Sequence, residues 1–327
     1  MAAQRGPLSP GATSPVTGPR HTWSMKLQTI VQSLEIAAPV VSGNLTMFPL
    51  LALEESAAGY ATLDEALAAG FVKITEVSES GSVPELTVVN EGAAPVLVLD
   101  GEELVGAKQN RIVNLTILVP PHSRLRLPVS CVEAGRWAHR SRAFAAAGRA
   151  HYAAGRASKV AQVSYCMAAS GERRADQGAI WDDIDEKAAR MAAQSETRAA
   201  AAMYEKSREQ LDEFQRSLQA LPKQVGAVFA INGAIRGLEV FDSAATWRKS
   251  MRKIVESYGL DALDRLQEKP SRARRDPARF LATIAKTEAK AFPAIGLGED
   301  VRLQGAHITG AALTVDEHVV HALAFAS

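Results

Sequence analysis

The hydrophobic period changes along this chain from strand-like to helical and then to a mixture, and that order constrains the fold more than any other feature. From Leu34 to about Ser130 the apolar residues come in short runs separated by Gly, Pro and Asn, the pattern of strands and turns. Strands are expected over Asn44–Leu51, Phe71–Val77, Glu85–Val89, Pro95–Asp100, Ile112–Val119 and Arg124–Val129. Thr62 with Glu65 is a capping-box signature, opening a short helix Leu63–Ala69 that stops at Gly70. The middle of the chain is rich in Ala, and helices are expected over Phe144–Met167, Ile180–Ala193 and Thr197–Leu221. The last carries Tyr204, Leu211, Phe214, Leu218 and Leu221 at helical spacing, with Pro222 as its stop.

Beyond Pro222, Val225–Ile231 and Leu238–Phe241 flank Asn232-Gly233, a dipeptide suited to the positive φ angles of a hairpin turn. A helix capped by Asp242 or Ser243 follows, with Trp247, Met251, Ile254, Val255 and Tyr258 as its apolar face and Gly259 as its expected end. A further helix, Phe280–Ala291, precedes a meander of Val301–Gln304, Ile308–Val315 and His318–Phe325. The fold class is therefore α+β: a β-rich first half, central Ala-rich helices, a hairpin with its helix, and a small C-terminal helix and meander. The expected division is a disordered tail over 1–24, rich in Pro, Gly, Ser and Thr, a single α+β domain over 25–267, an exposed basic linker over 268–279, and an extension over 280–327.

A net charge of +1 gives no global field toward nucleic acid, membrane or an acidic partner. Two cysteines, Cys131 and Cys166, make no disulfide framework, and no apolar run is long enough to cross a bilayer, so the cytoplasm is the expected compartment. The seven histidines are scattered, and His318 and His321 fall on opposite faces of a strand, so no metal site is expected.

Two segments concentrate the unusual polar residues. The first, LDGEELVGAKQNRIVN over 99–114, carries Asp100, Glu102, Glu103, Lys108, Gln109, Asn110 and Arg111. Its Gly101 and Gly106 superficially match a phosphate loop, but Ala107 separates Gly106 from Lys108 and Gln109 stands where Ser or Thr belongs. Glu102 and Glu103 would also repel phosphate. What remains is either a charged turn whose ions pair in water or a site that offers several planar donors together. The second segment, PVSCVEAGRWAH over 128–139, supplies Cys131, Glu133, Arg136 and Trp137. Arg136 beside Trp137 suits a flat anionic ligand, against the plainer reading of a packed indole with a surface guanidinium. Cys131 reads as a small buried hydrophobe before it reads as a nucleophile, although Arg136 and His139 are near in sequence.

Taken in order, NLTMFPLL (44–51), YATLDEAL (60–67), LDGEELVGAKQNRIVN (99–114) and PVSCVEAGRW (128–137) resemble the ARG and rhodanese–phosphatase-superfamily-associated protein domain family, over roughly residues 30–260. The resemblance implies association with ADP-ribosylglycohydrolase-type proteins and chemistry on ADP-ribose or NAD-derived nucleotides. In that light Lys108, Arg111 and Arg136 are expected to hold a pyrophosphate, Trp137 to stack on a base, and Gln109 and Asn110 to meet ribose hydroxyls. Glu102 or Glu133 is the expected catalytic carboxylate at an N-glycosidic bond, with Asp100, Glu103 and Cys131 as additional candidates. The competing readings are a non-catalytic nucleotide-binding module and an interaction protein whose motifs serve folding. No cofactor is specified, and the expected partner is a small nucleotide-like ligand, not nucleic acid or membrane.

Overall fold

A computed structural model describes residues 33–53, 56–78, 84–136, 141–271, 276–316 and 318–326. The expected tail over 1–24, the core of the basic linker over 272–275, and Trp137 with His139 lie outside the described residues.

The fold is α+β and is built on three sheets. In the largest, the neighbours run Leu34–Ile36, Leu45–Ala52, Gln224–Ile231, Ala234–Phe241, His318–Ala326, Ile308–Val315, Glu299–Gly305 and Glu288–Pro293, all antiparallel, with Val40–Ser42 also paired to Leu45–Ala52. A six-stranded sheet orders Phe144–Ala150, Glu102–Gly106, Arg111–Val113, Ser123–Cys131, Glu85–Asn90 and Val72–Glu76. A small third sheet joins Ile117–Val119, Val96–Val98 and Ala61–Thr62.

The hairpin at Asn232-Gly233 forms as its residue types demand, with φ of 50° and 84° at the two turn positions. Its second strand runs into the helix Ala244–Asp264, whose N-cap Ser243 accepts the Thr246 amide. Trp247, Ile254 and Tyr258 of that helix are fully buried, and the Tyr258 ring stacks on Phe229 of the hairpin with centroids 4.2 Å apart. The C-terminal meander extends the same sheet, because His318–Ala326 pairs with Ala234–Phe241 from Phe241↔His321 to Gly237↔Phe325. Residues after the basic linker thus share a sheet and a core with residues of the first half.

Several local expectations are corrected. Phe144–Met167 is not one helix: Phe144–Ala150 is a strand against Glu102–Gly106, and the helix runs Ala153–Ser170. Its Ala-rich composition favours a helix in isolation, but edge pairing decides. The expected helix Thr197–Leu221 is two, Ala201–Lys206 and Arg208–Ser217, broken at Ser207. The expected strand Ile112–Val119 is likewise two, in different sheets. Gly259 does not end its helix; it lies inside it, where a Cβ would come 2.9 Å from the Phe214 ring. The helix expected at Phe280–Ala291 is Pro277–Lys286, and Glu288–Pro293 is a strand.

Candidate functional site

The strand Ser123–Cys131 delivers its last residues to a crossing of three chain segments. Val132 N–H donates to the Asn110 carbonyl at 3.1 Å, the Val132 carbonyl accepts the Ala200 amide at 3.0 Å, and Gly135 N–H donates to the Thr197 carbonyl at 2.8 Å. Glycine at 135 suits this close approach, since a Cβ there would meet Thr197 backbone atoms at 3.0–3.1 Å. Glu133 sits at this crossing, bridged to Ala199. One carboxylate oxygen, Oε1, accepts the Thr197 hydroxyl at 2.8 Å; the other, Oε2, accepts the Asn110 amide at 3.2 Å and Arg136 Nε at 2.9 Å. Arg136 also donates through Nη1 to the Ala107 carbonyl at 2.9 Å and through Nη2 to Asn110 Oδ1 at 3.1 Å. The turn residue Ala107 has φ 38°, a left-handed conformation uncommon outside glycine.

This crossing forms one wall of a cleft of about 770 Å³. Asn110 and Glu133 line it on one side, Ala146, Ala147 and Arg149 of the strand Phe144–Ala150 on another, and Ser195, Thr197 and Glu205 on a third. Arg149 is held by a two-pronged ion pair to Glu103, at 2.6 and 2.9 Å, and its guanidinium lies 5.1 Å from the Tyr204 ring centroid. Burial pulls the Glu133 carboxyl upward, but the bonds from Arg136, Thr197 and the Asn110 amide outweigh it and hold the group below the usual carboxylate range. Glu133 is therefore ionised at neutral pH and, with its lone pairs engaged, weakly basic.

The sequence segments thus converge in part. Asn110, Glu133 and Arg136 meet directly, and Glu103 reaches the same cleft through Arg149. Gln109 Oε1 accepts Arg111 Nη1 at 2.9 Å; Arg111 is fully buried, 4.0 Å from Glu76, and pairs in register with Cys131. Burial and Glu76 push the Cys131 thiol up to about 11, against the opposing pull of Arg111. Lys108 is buried. Glu102 faces away from the cleft lining, taking Lys253 at 2.5 Å on Oε1 and the Leu99 amide on Oε2.

Asp100 enters a buried chain of ions that the sequence did not suggest. It accepts Arg156 Nε at 3.1 Å and Lys159 Nζ; Arg156 Nη1 donates to Glu239 at 2.7 Å; and Glu239 meets His321, which pairs with Thr116 at 2.8 Å. Arg156 and Lys159 lie in the Ala-rich stretch, on the helix Ala153–Ser170, where nothing local marked them as interior. Thr197, Arg149 and Glu205 belong to segments that the sequence reads as continuous helix, and Ser195 to the short connection between two of them, so nothing local marks them as site residues. Among the described residues no group of three or more His, Cys, Asp or Glu is placed to hold a metal ion, and no helix is long and apolar enough to cross a membrane.

The family model described as ARG and Rhodanese-Phosphatase-superfamily-associated Protein domain matches residues 33–325, from the first described strand to the last strand of the meander. No curated protein and no solved structure matches the chain.

Proposed function

The chain belongs to the ARG and Rhodanese-Phosphatase-superfamily-associated Protein domain family, and from that premise we propose that the Glu133 cleft binds the ribosyl part of an ADP-ribose- or NAD-derived nucleotide and acts at its N-glycosidic carbon. The observation that carries this reading is an ionised, weakly basic carboxylate held rigidly at the wall of a polar cleft. Such a group is poorly suited to proton abstraction and well suited to stabilising an oxocarbenium-like transition state, where positive charge develops on the sugar ring. Three protein donors fix it beforehand, so little reorganisation is needed as that charge forms.

Asn110, Ser195 and Thr197 offer the neutral donors and acceptors that sugar hydroxyls require. The pyrophosphate role for Arg111 and Arg136 receives less support. Arg111 is fully buried, and Arg136 directs its fork at Glu133, Asn110 and the Ala107 carbonyl. Recognition in this reading rests on the sugar, and Glu102, tied to Lys253, is a structural partner in it.

A second reading, a binding module without turnover, is favoured by the same saturation of Glu133: a carboxylate with three protein partners has few lone pairs left for a reacting group. A thermal-shift and turnover series with NAD, ADP-ribose and nicotinamide riboside separates the two. Stabilisation with base release that Glu133→Gln removes supports the enzyme. Stabilisation without turnover supports the module, and no stabilisation by any of the three removes both.

A further inference from the structure

A second cleft, of about 840 Å³, opens where the strand Ala234–Phe241 hands over to the helix Ala244–Asp264. Its walls are largely apolar, with Leu118, Phe241, Leu297 and Val319 among them. One wall is fixed by the backbone: Leu297 N–H donates to the Leu118 carbonyl at 2.9 Å, and Gly296 approaches so closely that a Cβ would lie 2.1 Å from that oxygen.

Polar groups converge at one place in this cleft. Asp242, just past the end of the strand, accepts the Tyr60 hydroxyl on Oδ1 at 2.5 Å. The Tyr60 oxygen lies 3.0 Å from Thr246 Oγ1, and Thr246 is fixed in turn by the capping residue Ser243 at 2.9 Å. The carboxylate is thus oriented by a phenol that is itself oriented by a helix N-cap. Among the described residues no other side chain hydrogen-bonds to Asp242; no Lys or Arg lines the cleft, and its other ionisable lining residues are Asp316 and His318. Burial raises the Asp242 carboxyl above its ordinary range while the Tyr60 hydrogen bond opposes it, as expected for a carboxylate with a neutral partner in a partly dry place.

We propose that this cleft is a second binding site, which takes a small apolar molecule carrying a protonated amine: the ammonium on Asp242 and the hydrocarbon against Leu118, Phe241 and Leu297. A half-buried carboxylate whose one side-chain donor is neutral is incompletely compensated, and a cationic donor supplies the charge it lacks together with further hydrogen bonds. An alcohol of the same shape supplies a hydrogen bond and no charge, and a carboxylate is repelled. The apolar walls give the affinity and the Asp242 carboxylate gives the selectivity, the usual division of labour in small-molecule sites. The site is independent of the Glu133 cleft and stands or falls separately from the ribosyl reading.

Calorimetric titration of the full chain with hexylamine, hexanol and hexanoate tests it. Hexylamine is expected to bind at least about tenfold more tightly than hexanol, hexanoate not to bind, and Asp242→Asn to remove the amine preference, since hydrogen bonds between charged groups are stronger than neutral ones. Ala57→Trp, at an exposed position on the cleft lining, is expected to block the amine without touching the core. Equal binding of amine and alcohol, amine binding unchanged in Asp242→Asn, or amine binding retained in Ala57→Trp would each overturn the proposal.

Discussion

Glu102 and Glu103 are neighbours on one strand and serve opposite sides of it: Glu102 takes Lys253 at 2.5 Å and Glu103 takes Arg149 at 2.6 Å. The alternation of side chains along a strand requires this separation. The two adjacent carboxylates, one expected as a catalytic group and the other as an additional candidate, are anchors for different parts of the molecule, and only Glu103 adjoins the Glu133 cleft through its partner.

The Glu102 anchor has a thermodynamic signature. Both side chains of the Lys253–Glu102 pair are almost wholly buried. Lys253→Met is expected to destabilise the protein by about 3–5 kcal/mol, because it leaves a carboxylate buried without its counter-charge. The double variant Lys253→Met with Glu102→Gln, which removes the buried charge and keeps an acceptor for the Leu99 amide, should recover much of that loss. Urea unfolding of the two variants checks it; equal destabilisation in both would show that the charges do not act as a pair.

His151 predicts a pH dependence. It is fully buried, and that burial, with Lys159, Lys187, Arg156 and Arg149 around it, holds its folded-state pKa well below the usual histidine value. The unfolded chain therefore binds a proton near pH 6.5 that the folded chain does not, so stability is lost as pH falls below about 6.5. The slope from this one group is about 1.4 kcal/mol per pH unit. In His151→Leu, whatever its absolute stability, the fall between pH 6.5 and 5 should be shallower by that amount; parallel curves would rule the group out.

Cys131 should behave as an inert interior thiol. Its raised pKa and complete burial predict that iodoacetamide labels the half-buried Cys166 first at neutral pH, with Cys131 modified only as the protein unfolds. Cys131→Ala is expected to cost about 1–2 kcal/mol and to leave any ligand binding intact. Peptide mapping by mass spectrometry over a time course reads the order of labelling.

Glu133 separates catalysis from binding. Glu133→Gln keeps the acceptor to Thr197 and removes the charge, so an oxocarbenium-stabilising role predicts a fall in turnover of roughly 10²-fold or more with ligand affinity nearly unchanged. If affinity falls while no turnover is detectable in either protein, Glu133 is a binding group.

Local chemistry made much of the fold legible. The Thr62–Glu65 capping box, the Asn232-Gly233 hairpin, the Ser243 cap and the C-terminal meander all form where their residues indicate, because a turn or cap is decided by atoms a few residues apart. Phe144–Ala150 was not legible. Its alanines suit a helix, and only the neighbouring strand Glu102–Gly106, with Gly148 at φ 70° in the bulged part, makes it a strand.

The candidate site divides along the same line. Asn110, Glu133 and Arg136 stood out as residue types in short polar segments, and the ladder that joins those segments, Arg111 opposite Cys131, follows from nearby strands. Thr197 and Arg149, which complete the cleft, come from segments with helical patterns, and the Glu133–Thr197 contact spans 64 positions. The α+β class, the caps and tight turns, the hairpin and meander strands and the identity of the polar segments were determined by sequence alone, since propensity, period and turn chemistry are local quantities. Which carboxylate faces a cleft and which is locked to a buried lysine was decided only by tertiary structure, because burial and ion pairing depend on chain segments that sequence distance does not relate.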